Sequence, residues 1–159
     1  MSGARGRAWR LALLLCGVVV AIDQGTKALI EHNLTSGETV DFLGPIKLTN
    51  VENSGIAFGL ADGGGVLILL FSIAALLLIG FVFATSADRP GVWVAMGSLV
   101  GGALGNLADR IRADAVTDFI DFPAWPAFNV ADIAITIGVA LLAVSLLREP
   151  RASAEPQKS

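Results

Sequence analysis

The side chains that could do chemistry are carboxylates and amides. Asp23 and Lys27 are spaced i, i+4, so on a helix they share a face and can pair. Asn106 and Arg110 repeat that spacing, with Asp109 between them. Asp109, Asp114, Asp118 and Asp121 crowd into residues 109–121, and Asn129 and Asp132 follow at i, i+3. Asn53 stands earlier, alone. Cys16 and His32 are the only residues of their kinds, so an internal disulfide, a thiolate cage and a multi-histidine metal site are excluded. An enzyme built from this set must work with carboxylates. Two aspartates that share one proton supply an acid and a base with separated pKa values, enough to activate water. The other chemistry open to such residues is proton- or ion-coupled transport by carboxylates inside a membrane.

The elements that must hold these residues are read from composition. Of 159 residues, 54% are apolar and 16% charged, and mean hydropathy is +0.71. Soluble domains carry about a quarter charged residues, so this is a membrane protein of one domain. With 11 Lys and Arg against 14 Asp and Glu, net −3, no basic cluster invites nucleic acid.

A transmembrane helix needs about 20 residues. Residues 66–84 and 91–108 are uncharged and predict two spans. Two further apolar runs, 11–22 and 133–147, reach span length only by taking in polar residues. The first, over 11–30, then includes Asp23 and Lys27; the other, over 128–147, includes Asn129 and Asp132. Ionisable groups inside a span are costly and mark function. The expected fold is mainly α, with four transmembrane helices and a small β-rich outer subdomain between the first and second spans.

Orientation follows from Lys and Arg placement. Arg5, Arg7, Arg10, Arg89, Arg148, Arg151 and Lys158 fall on one side, and Lys27, Lys47, Arg110 and Arg112 on the other. Both termini are therefore expected in the cytoplasm. Trp9, Trp93 and Trp125 fall at membrane interfaces under that arrangement. A cleaved signal peptide is the rival reading of the N-terminus, but no A-x-A-like site follows the apolar run. The stretch LLLCG (13–17) resembles a lipoprotein cleavage box only faintly, because Leu15 is bulky.

The first outer loop, 31–65, contains ETVDFL and IKLTNV around Gly44-Pro45, a predicted hairpin, and IAFGL, a possible further strand. The second outer loop is 109–127. The tail, 149–159, is polar and reads as disordered. On this layout Asp23, Lys27, Asn53, Asn106, Asp109, Arg110, Asp118, Asn129 and Asp132 all reach one level, at the outer face, and that convergence argues for a site. Plainer roles stand beside it. Asp23 and Lys27 could form a structural salt bridge. Arg110 could anchor at headgroups, and Asn129 could cap a helix. Asp114 reads as a solvated loop residue. Gly97, Gly101 and Gly105 repeat a GxxxG step, read as close helix packing.

Five segments then resemble, in order, the motifs of the lipoprotein signal peptidases (signal peptidase II), bacterial membrane aspartic proteases. They are IDQGTK (22–27), NSGIAFG (53–59), GGALGNLADRI (101–111), VTDFIDF (116–122) and FNVADIAITIG (128–138). The resemblance implies an endopeptidase of the plasma (inner) membrane. It would remove the signal peptide from diacylglyceryl-modified prolipoproteins, cutting just before the lipidated cysteine. Asp118 and Asp132 match the catalytic dyad, with Asp121 as the tempting wrong choice. Asp23, Lys27, Asn53, Gly55, Asn106, Asp109, Arg110 and Asn129 match positions that shape the site or contact substrate. The resemblance implies no metal and no cofactor. The expected partners are the lipidated substrates and membrane lipids, with no nucleic acid, and the chain is read as a monomer.

Overall fold

The computed structural model describes residues 3–54, 64–86, 89 and 91–147. Four helices fall on the four expected spans: α1 Gly3–Asn33, α2 Gly64–Ser86, α3 Val92–Ala113 and α4 Val130–Leu147. Helix α1 has 31 residues, about 46 Å at 1.5 Å per residue. Among the described residues it is the one helix long and apolar enough to cross a membrane by length and composition; α2 and α4 carry shorter apolar stretches, Leu70–Thr85 and Val130–Ser145.

Helix α3 is the centre, with α1 and α4 packed along it. Close approach is possible because small residues line the seams. A Cβ on Gly97 would lie 2.8 Å from the Ala12 carbonyl oxygen, and one on Gly101 2.7 Å from Val19 Cβ. Gly105 meets the Asp23 carboxylate in the same way at 2.5 Å. The expected GxxxG contact is thus the α1–α3 seam. Gly102 faces α4, where a Cβ would run into the Ala131 carbonyl oxygen. Gly102→Val should therefore push α4 from α3 and lower the unfolding temperature by several degrees, because overpacking costs about 1–3 kcal/mol. Gly25→Ala, with open space around it, is the control, and a thermal unfolding scan in detergent is the measurement.

The bundle is inverted relative to a soluble one. Leu13, Leu14 and Val18 of α1, Phe71, Leu77 and Phe81 of α2, and Ile137 and Val144 of α4 are exposed. Asp23, Lys27, Asp109 and Asn129 are among the most deeply buried side chains. The apolar core is small. Ala12, Phe83, Val92 and Met96 pack together at the end of the bundle away from the sheet, with the Trp9 ring tilted against Phe83 at a centroid distance of 4.4 Å.

The sheet corrects an expectation. It has four antiparallel strands in the order β1-β2-β3-β4. Strands β1 (Thr39–Leu43) and β2 (Ile46–Asn53) form the predicted hairpin around Gly44, whose φ of 57° is the left-handed turn conformation that glycine favours. The other half, β3 (Val116–Phe122) and β4 (Trp125–Phe128), comes from the segment between α3 and α4. The β region is therefore built from the α1–α2 and the α3–α4 connections, not from the first alone. The physical reason is that an isolated hairpin is marginal in water and gains from further strands. Pairing β2 with β3 sets Val51 opposite Asp118 and Asn53 opposite Val116. Helix α3 also runs on to Ala113, so Asp109 and Arg110 are helical residues and the loop is shorter than expected. The possible strand IAFGL, Gly55, and the tail 149–159 lie outside the described residues.

Candidate active site

Asn129 is the hub. It precedes α4 and caps it: its Oδ1 accepts from the Asp132 backbone N–H at 3.0 Å, and its own N–H donates to Asp132 Oδ2 at 3.2 Å. This reciprocal pair is the geometry of a capping box, with aspartate in the place of glutamate. The same Asn129 side chain uses Nδ2 to donate to Asp118 Oδ1 at 2.7 Å, and more weakly to the Thr117 carbonyl at 3.4 Å and Asn106 Oδ1 at 3.2 Å. Capping and site-building are one arrangement, so the two roles considered for Asn129 do not compete. One residue thereby ties Asp118 on β3 to Asp132 on α4.

Each aspartate has a second amide partner. Asn53, near the end of β2, donates to Asp118 Oδ2 at 2.9 Å, and Asn106 of α3 donates to Asp132 Oδ1 at 2.9 Å. Every oxygen of the pair therefore accepts a hydrogen bond. Asp118 is buried. Loss of water pushes its carboxyl above the ordinary carboxylate value, and the neighbouring Asp132 charge pushes the same way. Hydrogen bonds from Asn53 and Asn129 and the charge of Lys27 oppose the rise without cancelling it. Asp132 sits in the first turn of α4.

Behind the pair lies a buried ion cluster. Lys27 is fully buried, with Nζ 2.8 Å from Asp23 Oδ2 and 2.6 Å from Asp109 Oδ2. It also donates to Asn106 Oδ1 at 2.9 Å. That bond orients the Asn106 amide, leaving its Nδ2 to face Asp132. Asp23 Oδ1 accepts from the Ala131 backbone N–H at 2.9 Å, which fixes the start of α4 against α1. Asp23 and Lys27 thus form the pair expected from their spacing, and Asp109 joins it across 82 positions of sequence.

The structure gathers Asp23, Lys27, Asn53, Asn106, Asp109, Asp118, Asn129 and Asp132 into one connected network. Arg110 is half-buried and donates to the Asn106 carbonyl at 3.3 Å; the contact is with backbone, not with a carboxylate. Asp121 stands three residues beyond Asp118, which in a strand of period two places it on the other face, opposite Lys47 of β2. Asp114 is exposed at the C-cap of α3.

Two members of the network were missed from sequence. Gln24 donates to Asp109 Oδ1 at 2.8 Å, and Arg112 donates to the same oxygen at 3.1 Å. Gln24 stands within IDQGTK and Arg112 is i+3 from Asp109, the signals that could have found them. Glu31, also unmarked, accepts from Thr117 Oγ1 at 2.7 Å and ties β3 to α1.

Comparisons with known proteins give the family. The family model for signal peptidase II matches residues 15–148. A lipoprotein signal peptidase of Nitratidesulfovibrio vulgaris (strain DP4) is 43% identical over 152 residues, covering 89% of this chain and 92% of that one. One from Geobacter sulfurreducens is 41% identical and covers 85% and 90%. The fold is similar to that of a solved bacterial membrane enzyme, determined in meso at 1.9 Å resolution. The TM-score is 0.82 and the identity 32%, over 87% of this chain and 94% of that one. A second such structure, at 2.3 Å, gives a TM-score of 0.79 and 30% identity. On the strength of a match that spans all four helices and the sheet, the chain belongs to the signal peptidase II family.

Proposed function

We propose that the chain is an aspartic endopeptidase of the bacterial plasma membrane that cleaves diacylglyceryl-modified prolipoproteins just before the lipidated cysteine. The observation that carries this reading is the Asn129 bridge. One residue holds carboxylates from a strand and a helix together, Asp118 through its side-chain amide and Asp132 through its backbone N–H, and each carboxylate has a second amide partner. The lipoprotein substrate is argued from the relatives' names and from the site's place, where β3 meets the outer end of the bundle. The exposed apolar belts on α1, α2 and α4 support four membrane spans. The transport alternative finds no support among these relatives.

The raised Asp118 carboxyl suits the role of acid, which leaves Asp132 the role of base. A water between them loses a proton to Asp132 as its oxygen attacks the scissile carbonyl. Asp118 gives its proton toward the carbonyl oxygen. Collapse of the tetrahedral intermediate breaks the C–N bond: the proton held by Asp132 passes to the leaving amine, and one hydroxyl of the intermediate returns its proton to Asp118, which restores the starting pair. Amide groups of Asn53, Asn106 and Asn129 hold the two carboxylates in place through these transfers. Because Asp118 must carry the proton, cleavage should decline as pH rises through its raised value, not at the ordinary carboxylate value. A pH profile of initial rates checks this.

The deciding experiment is incubation of the purified full chain in detergent with a diacylglyceryl-modified prolipoprotein, beside its unlipidated form. Mass spectrometry should find the cut before the lipidated cysteine, in the lipidated substrate only, and unaffected by EDTA. No cut in either substrate would overturn the reading. Reporter fusions should place Ser153 in the cytoplasm and Gly64 outside; the opposite result would put the site on the wrong face.

A further inference from the structure

Charge counting in the buried cluster leads beyond the dyad. Asp23 and Asp109 are both buried, and Lys27 is one cation for two anions. The second cation is Arg112, whose Nη2 lies 3.1 Å from Asp109 Oδ1. Gln24 locks this arrangement. Its Nε2 donates to Asp109 Oδ1 at 2.8 Å, and its Oε1 accepts from Arg112 Nη1 at 3.3 Å. With Arg112 in place the cluster is neutral, two negative and two positive charges. Asp109 can then give its other oxygen to Lys27, Lys27 can hold the Asn106 carbonyl, and Asn106 can donate to Asp132.

We propose that Arg112 is a positioning residue for cleavage, acting through Asp109, Lys27 and Asn106 on Asp132. The inference rests on the reading of Asp118 and Asp132 as the reacting pair. Arg112 lies just past the last residue of the GGALGNLADRI segment and touches neither aspartate. Its side chain is 57% exposed, at the mouth of a pocket of about 460 Å³. The charged groups facing it there are Glu31 of α1, Glu52 of β2 and Asp109 of its own helix. All are acidic, so no other described residue lining the pocket can replace its charge. Glu31 is engaged by Thr117. Without the guanidinium, the cluster holds surplus negative charge one amide away from Asp132. Negative charge beside carboxylates favours their protonated forms, so the whole pH dependence of cleavage moves upward.

The test is the pH–rate profile for cleavage of the lipidated prolipoprotein by wild type, Arg112→Gln, Arg112→Lys and Asp132→Asn. Arg112→Gln should shift the profile upward by about half a pH unit. That is less than the one to three units of a direct counter-charge, because Arg112 is exposed and acts at a remove. Arg112→Lys keeps the charge and should restore the wild-type position. Raising salt from about 20 mM to about 1 M should move the wild-type profile the same way, since salt screens the exposed guanidinium more than buried Lys27. This arm carries the test should Arg112→Gln fail to fold. A profile that stays in place in Arg112→Gln, whether or not the rate falls, overturns the inference, as does a salt-insensitive wild type. Activity in Asp132→Asn would instead overturn the reading of the dyad.

Discussion

Asp118→Asn and Asp132→Asn should each abolish cleavage of a lipidated prolipoprotein while the protein still inserts and folds. The amide keeps the side chain's shape but can neither take the proton of water nor return one. Loss of general acid–base help alone costs about a hundredfold to ten-thousandfold in rate. Two groups that act as a unit lose more, and the double variant is scarcely slower than either single one. Asp114→Asn and Asp121→Asn keep most of the activity, since Asp114 is an exposed helix cap and Asp121 lies on the other face of β3. Initial rates, normalised to the monodisperse fraction in detergent, are the readout. Normal cleavage by Asp118→Asn with none by Asp121→Asn would shift the site by three residues. Activity in both dyad variants would end the aspartic mechanism.

Lys27→Met should produce the largest loss of folded protein. Both carboxylates beside Lys27 are at most 1% exposed, so neither can turn to water when the ammonium is removed. Breaking a buried pair costs about 3–5 kcal/mol, against a total stability of about 5–15 kcal/mol for a typical domain. Folded yield should therefore fall sharply. Adding Asp23→Asn and Asp109→Asn to Lys27→Met removes the uncompensated charge and should recover much of that yield. Cleavage should stay low in the triple variant, because no cation then orients Asn106 toward Asp132. Chromatography in detergent separates the two effects. A Lys27→Met protein with wild-type yield and rate would show the cluster to be dispensable.

Much of this organisation was legible in the chain. The four helices follow from apolar runs, and the β1–β2 hairpin from Gly44-Pro45 between apolar segments. The GxxxG steps at Gly97, Gly101 and Gly105 announced a close helix contact, which the structure places at the α1–α3 seam. Asp23 with Lys27, and Asn129 with Asp132, could be paired by spacing, because residues three or four apart on a helix are neighbours in any fold. Local periodicity is a short-range property, and it survives whatever the rest of the chain does.

The remainder depended on long-range contacts. That β3 and β4 join the first hairpin could not be read locally, since strand pairing between β2 and β3 is set by which edges meet, not by either segment alone. Asn53 reaches Asp118 only because of that pairing. Asp109 meets Lys27, and Gln24 meets Arg112, only because small residues let α1 and α3 approach closely enough for polar side chains to span the seam. The choice of Asp118 over Asp121 came from resemblance; the strand's alternation puts the two on opposite faces. The sequence by itself determined which residues were available for chemistry and which helices would carry them, through composition and period. Tertiary structure alone decided their connection, because burial in a low-dielectric seam requires every charge to find a partner, and those partners come from segments distant in the chain.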